Sequence, residues 1–237
     1  MKATKAFSLL IAIITCATSV NASVPIVFGY GKGRRAVTNL LTSAEDKLKK
    51  GDTAGAKHDL DAALHSDPTF WPALYVRAQI FASQGKPELA IQDCNEALRQ
   101  YPGFVEAALL RARINAALGK YAEASKEFNH LISIHPRSVT LARALGDRAW
   151  FQATCPNPAF RNGKQAVKDA KAACSMLQWK DEDTIDTLAA AYAETGDFAS
   201  ATRYASQALA IKGIEPANAK RIQQHLTLFQ HNQPIRL

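Results

Sequence analysis

Large and small apolar residues alternate at spacings of three and four through most of this chain. Leu74, Ala78 and Phe81 form one such stripe, Ala90 and Ala97 another, and Ala108, Ala112, Ala124 and Phe128 continue the pattern. That spacing lines up one face of a helix, and it is the stripe of a helix core. The stripes recur at a fixed interval. Pro68, Pro102 and Pro136 stand 34 residues apart, as do Gly51, Gly85 and Gly119, and Ala56, Ala90 and Ala124. Ala63 and Ala97 keep a fourth phase, where the third copy has Leu131. A period of this length predicts stacked pairs of antiparallel helices. The glycine lies in the turn within a pair, the small alanine lets the helices approach, and the proline follows the second helix, which it cannot continue.

The predicted elements follow. The first repeat runs from about 37 to 70; its first helix, Val37 to Lys50, is the weakest match, and its second is Ala54 to Ser66. Repeats two and three occupy 71–104 and 105–138. A fourth unit breaks the period. Leu141 to Thr154 reads as its first helix and Lys164 to Leu177 as its second, but Cys155-Pro156-Asn157-Pro158-Ala159-Phe160-Arg161-Asn162-Gly163 replaces the tight turn. Two prolines and a glycine forbid helix through that stretch. The fifth unit, Glu182 to Ala210, is regular again. A last helix, Ala217 to Gln230, carries Ile222, Leu226 and Phe229 on one face and reads as a cap over the final apolar surface.

The repeat phases over about residues 37–230 resemble the tetratricopeptide repeat. The Cys-Pro stretch, followed by Gly163-Lys-Gln-Ala-Val and by Asp186-Thr-Leu-Ala-Ala-Ala-Tyr-Ala-Glu-Thr-Gly196, looks like a variant found in bacterial members. The resemblance implies an all-α, right-handed superhelical solenoid of about five helix-turn-helix repeats plus a C-terminal capping helix. It also implies a protein or peptide bound in the concave groove lined by the first helices. The inward phases of the family, carried onto this chain, are Tyr75, Gln79, Leu109, Arg113, Trp150, Asp186 and Glu194. Members that clamp a chaperone's C-terminal carboxylate use Asn and nearby lysines; Gln79 and Arg113 hold the corresponding phase here, so that clamp is not reproduced.

Composition places the chain more than it defines a chemistry. Lys2 and Lys5, the apolar run Phe7 to Thr15, and Val20-Asn21-Ala22 read as a signal peptide over 1–22, with Ser23 as the new N-terminus. Cys16 offers a second reading, a lipid-anchored assembly factor at the outer membrane. Cleavage removes two lysines and no acid, so the formal charge of +8 becomes +6. That excess is spread along the chain and reads as ordinary solubility, with no concentrated stripe for nucleic acid. Residues 23–36, rich in glycine and charge, read as a flexible linker, and 231–237 as a tail. The expected location is periplasmic or secreted.

Of the three cysteines that remain, Cys94 shares its phase with Leu60 and Phe128 and reads as core. Cys155 and Cys174 flank the irregular stretch and are the expected disulfide in an oxidising compartment. No catalytic constellation is legible: there is no His-x3-His, no Cys-x-x-Cys and no Gly-x-Ser-x-Gly. No metal or cofactor is expected. Asp181, Glu182, Asp183 and Asp186 read as an acidic first helical turn in preference to a cation site, since they lack an EF-hand pattern. The functional expectation is a non-enzymatic interaction module of the cell envelope.

Overall fold

The structure, a computed structural model, describes residues 34–134 and 139–237. The leader, Cys16 and most of the linker lie outside the described residues. Among the described residues there are eleven α-helices, one 3-10 turn and no strand. The chain divides into two compact units, Met1–Leu118 and Gly119–Leu237. No helix among the described residues is long and apolar enough to cross a membrane.

The first unit holds α1 (Arg35–Lys49), α2 (Thr53–Ser66), α3 (Trp71–Ser83), α4 (Pro87–Gln100) and α5 (Val105–Ala117). α1 pairs with α2 and α3 with α4, while α2 packs on α3 and α4 on α5. α1 starts two residues before the expected boundary, and Arg34 is pinned by an ion pair to Asp67 at 3.0 Å, so the linker's end is ordered. The turns explain the periodic glycines. Gly51 and Gly85 take φ of 81° and 68°, the left-handed conformation. The amide three positions past the helix then reaches back to close the last turn: Asp52 N–H bonds Lys47 O at 2.9 Å, and Lys86 N–H bonds Phe81 O at 2.9 Å. This satisfies carbonyls that the helix end leaves open, in a backbone shape that a Cβ disfavours. The prolines sit in a repeated turn as well, closed by Phe70 N–H to Asp67 O and by Phe104 N–H to Tyr101 O.

The periodic alanines are where the paired helices close. Ala44, Ala56, Ala78 and Ala90 have no exposed surface, and Cys94 is equally buried at its expected core phase. The outer face of α1 solves a different problem. The phases filled in α3 by buried Ala73, Val76 and Ile80 are Asn39, Thr42 and Asp46 in α1, and all three are exposed. An open repeat stack needs such a polar end.

The second unit holds α6 (Tyr121–Ile134), α7 (Val139–Thr154), a 3-10 turn (Pro158–Phe160), α8 (Gly163–Met176), α9 (Glu182–Glu194), α10 (Phe198–Leu209) and α11 (Pro216–Gln230). α7 pairs with α8 and α9 with α10, and the first helices α7, α9 and α11 are neighbours in turn. Asn157 caps the 3-10 turn and Asn162 caps α8, accepting from Ala159 N–H and Gln165 N–H at 3.0 Å each. Gly163 is required by a close approach: a Cβ there would meet Thr195 Cγ2 at 2.9 Å and Glu194 Cγ at 3.1 Å. The irregular loop is thus pressed against the end of α9.

The expected disulfide is not formed. Cys155 and Cys174 are separate, buried thiols. The antiparallel pairing explains it. Arg148 meets Asp169, so Cys155 lies at the turn end of the pair, while Ala142, Leu145 and Ala173 cluster at the other end beside Cys174. Eleven residues of α8 separate Cys174 from the start of that helix, roughly 16 Å of rise. Flanking the loop in sequence does not mean meeting across it. Burial pushes the Cys174 thiol up to about 12 and raises that of Cys155, so neither is an activated nucleophile.

Replacing Ala90 with Leu puts three extra carbons into a fully closed helix contact. Urea unfolding of Ala90→Leu is expected to show a loss of about 1–3 kcal/mol. A midpoint equal to that of the unsubstituted chain would mean that the helices do not approach at this phase.

Candidate protein-binding face

An arginine on each of three first helices, α3, α5 and α7, ties neighbouring helices together. Arg77 on α3 grips Asp93 of α4 with Nε and Nη2, both at 2.8 Å, and reaches back to Asp61 of α2 with Nη1 at 2.8 Å. Arg111, 34 residues on, donates to Asn95 at 2.6 Å. In the second unit Arg148 binds Asp169 through Nε and Nη2 at 2.7 and 3.0 Å and Asn129 through Nη1 at 2.8 Å. In α1 the same phase is Ser43, which with Lys47 satisfies Asp59 at 2.6 Å. Each arginine therefore reads its own partner helix, the preceding one, or both. Planar guanidinium forks suit this bidentate contact. The Asp93 bond, opposed by burial, raises the Arg77 pKa further, and the bonds from Lys47 and Ser43 hold the Asp59 carboxyl below its usual range.

The alanine and glycine phases do not point to these arginines. The signal is nevertheless present in the sequence, because Asp59, Asp93 and Glu127 keep the 34-residue interval, and so do Asp61, Asn95 and Asn129. A charge phase carries less weight than an alanine phase only when each residue is weighed alone.

Gln79 and Arg113 lie two residues beyond Arg77 and Arg111, about 200° around the helix. They thus project from the side of α3 and α5 away from the second helices, and both are half-buried. Tyr75 and Leu109, one turn earlier, are buried. The Tyr75 hydroxyl accepts from Gln79 Nε2 at 3.1 Å, and its ring meets Phe104 edge-on at 4.8 Å. In the first unit two of the named residues, Tyr75 and Leu109, are thus buried, and the other two, Gln79 and Arg113, are half-buried polar groups one turn on.

In the second unit the named residues are covered by the chain itself. Trp150 packs on His225 of α11, ring centres 5.6 Å apart. Asp186 is 1% exposed; its Oδ2 lies 2.7 Å from His225 Nδ1, and its buried Oδ1 has no partner among the described residues. Glu194 lies between Arg161 at 3.1 Å and Arg236 at 2.6 Å. The structure so joins Trp150 and Asp186 through one histidine and places Glu194 at the far end of α9.

The acidic run divides by role. Asp181 is the N-cap of α9 and accepts from Thr184 N–H at 2.8 Å. Asp183 pairs with Arg221 of α11, and Asn218 donates to Glu182 at 3.1 Å, so α11 lies along α9 through polar contacts as well as apolar ones. Burial, opposed by Arg221, pushes the Asp183 carboxyl up to about 6, with Asp181 and Glu182 adding to it. Among the described residues no cluster of His, Cys, Asp and Glu is arranged to hold a metal. A separate aromatic group extends from Tyr192, which holds the phase of Phe81: Trp179, Tyr204 and Tyr192 stack at 6.1 and 5.4 Å, with Arg203 and Lys171 over the tyrosine rings.

Comparison with known proteins agrees with the fold. Two tetratricopeptide-repeat family models match the chain, over residues 41–103 and 81–147. A thermophilic repeat protein of Thermus thermophilus superposes with a TM-score of 0.67 at 18% identity, covering 81% of this chain and 100% of that one. PilF of Pseudomonas aeruginosa gives 0.64 at 15% identity, covering 84% and 90%. The Cut9–Hcn1 hetero-tetramer of the APC/C gives 0.64 at 17% identity, covering 83% and 39%. Among curated protein sequences no significant match is found.

Two measurements check the electrostatics. Arg77→Ala leaves the nearly buried Asp93 without its guanidinium, and thermal unfolding is expected to show a loss of about 2–4 kcal/mol; Arg99→Ala, which breaks the exposed pair with Glu96, is expected to melt with the unsubstituted chain. Asp183 binds its proton more tightly folded than unfolded. Its contribution to stability is therefore full below about pH 4 and lost as pH rises through about 6, by roughly 1–3 kcal/mol. Asp183→Asn is expected to remove that slope from a series of melts between pH 4 and 7, and an unchanged slope would assign it to another group.

Proposed function

This chain is a tetratricopeptide-repeat protein, and from that premise we propose that it is a non-enzymatic binding scaffold of the cell envelope. It holds a segment of a protein partner against the first helices of the first unit. The observation that carries this reading is the division of labour on α3 and α5. Arg77 and Arg111 face the second helices and serve the fold, whereas Gln79 and Arg113, two residues on, are half-buried one turn past the buried Tyr75 and Leu109. Polar groups beside apolar ones on rigid helices are preorganised, so little ordering entropy is lost on binding. The Cut9–Hcn1 assembly has a similar fold within a multi-protein complex, which supports the class of partner.

The envelope role rests on the leader read in residues 1–22. Mass spectrometry of the mature chain is expected to find Ser23 at the N-terminus; an acylated Cys16 would replace the soluble reading with the anchored one. For the binding face, a photo-crosslinking residue at position 79 or 113 is expected to trap a partner in cells, and one at position 57 or 92 on the second helices is not. Arg113→Ala should then weaken binding of the trapped partner by about tenfold. Adducts from 57 and 92 alone would move the site to the opposite face.

A further inference from the structure

The segment after α11 does not trail into solvent. Asn232 takes φ of 55° and reverses the chain, which then runs back to the end of α7. Ile235 is 5% exposed. Leu237 N–H donates to Thr154 O at 3.2 Å, and Arg236 Nη1 donates to Ala153 O at 3.3 Å and to Ile235 O at 2.7 Å. Arg236 Nη2 faces Glu194 Oε2 at 2.6 Å as a close ion pair rather than an aligned hydrogen bond.

We infer that the end of α7, Arg161 of the irregular loop and the end of α9 form a binding site for an extended peptide segment in which an aliphatic residue precedes an arginine. Residues 232–237 fill that site in cis. The chemistry of the receptor supports this class of ligand. Ala153 and Thr154 carry carbonyls of the last turn of α7, which the helix leaves open and which form its negative end. Glu194, with a side chain 13% exposed, adds a carboxylate that Arg161 orients through Oε1. Together they make a pocket for a guanidinium. The bond from Leu237 N–H uses only backbone and accepts any extended chain, so the selectivity lies with the buried aliphatic and the arginine.

The occupant is held by few anchors. It has no helix or strand of its own, Asn232 and Gln233 are exposed, and the Arg236 side chain is 37% exposed. Segments of that kind open at little cost. A tether of a few residues keeps the segment at an effective concentration on the order of millimolar, so it suppresses an outside peptide without needing high intrinsic affinity. The site thus rests on the proposed peptide-binding role but reads different residues, all in the second unit.

The test uses the full chain and a fluorescein-labelled peptide, Asn-Gln-Pro-Ile-Arg-Leu, followed by anisotropy. The unsubstituted chain is expected to bind it at least tenfold more weakly than the Ile235→Ser/Arg236→Ser double variant, whose own segment is released. Adding Glu194→Gln to the double variant should return the affinity at least tenfold, and a probe with Glu in place of Arg should not bind the double variant. Melts confirm folding; if the double variant does not fold, Arg236→Ser alone is used and a gain of at least threefold is expected. Equal binding by the released and unsubstituted chains, or no effect of Glu194→Gln, overturns the inference. Failure of the crosslinks at 79 and 113 with the anisotropy result intact would remove the first-unit face and leave this site standing.

Discussion

The closeness of paired helices is the constraint on which the rest of this structure depends. Each pair is closed by alanines that have lost all exposure: Ala44 with Ala56, Ala78 with Ala90, Ala149 with Ala166, Ala189 with Ala201. A methyl group in place of a larger side chain permits an interaxial distance at the short end of the range for packed helices. Two consequences follow. In three of these pairs the connecting turn is tight and places glycine in the left-handed conformation, at 51, 85 and 196, while the pair closed by Ala149 and Ala166 keeps its irregular loop. The polar residues flanking the seam are also brought close enough for a single guanidinium to span two helices.

That second consequence turns packing into register. Apolar helices slide past one another at small cost, because alanine and leucine stripes fit in more than one offset. Arg77, bound at once to Asp61 and Asp93, has one arrangement in which both carboxylates are served. A shift of one helical turn would leave Asp93, only 7% exposed, without a counter-charge. Breaking such a pair is more costly than forming it is favourable. The arginines therefore contribute specificity of stacking more than net stability, and the alanines the reverse. This is why the fourth unit, whose loop is longer, still has an arginine: Arg148 has moved with its helix and finds Asp169 and Asn129 in the same relation.

The fold is legible because its determinants are periodic and local. Glycine, alanine and proline act through sterics of the residue itself, so their phases alone place the turns, the seams and the ends of the helices. The helix bounds accordingly differ from expectation by no more than a few residues, with α8 running Gly163–Met176 where the pattern predicts Lys164 to Leu177. The functional face is legible only as phases, because the side a residue takes is a property of one helix, whereas what covers it depends on a distant segment. Trp150, Asp186 and Glu194 hold inward phases, but His225 and Arg236, 83 residues from Ala153 in the last case, decide their surroundings. The expected cysteine pair fails for a related reason. Nearness in sequence across a loop is not nearness in space, and in an antiparallel pair the residue far along the second helix returns to the opposite end.

A stack of helix pairs has two ends, and each exposes a face that the next repeat would have buried. α1 in the first unit and α11 in the second meet that problem by different physics. At α1 the face is made polar by Asn39, Thr42 and Asp46, which removes the need for a cover and also removes any apolar surface on which a partner could gain. At the other end the face stays apolar, with Ile222, Leu226 and Phe229 sealing it from α11 and Ile235 extending the seal onto α7. A surface that must be covered for solubility has the properties that favour association: it is dry, shaped and rimmed by helix-end carbonyls and a carboxylate. Covering it with a folded helix makes the seal permanent, since many buried contacts open together. Continuing the cover as a short extended segment makes the last part of it exchangeable, because its few contacts can be lost one at a time and replaced by those of a chain with the same chemistry.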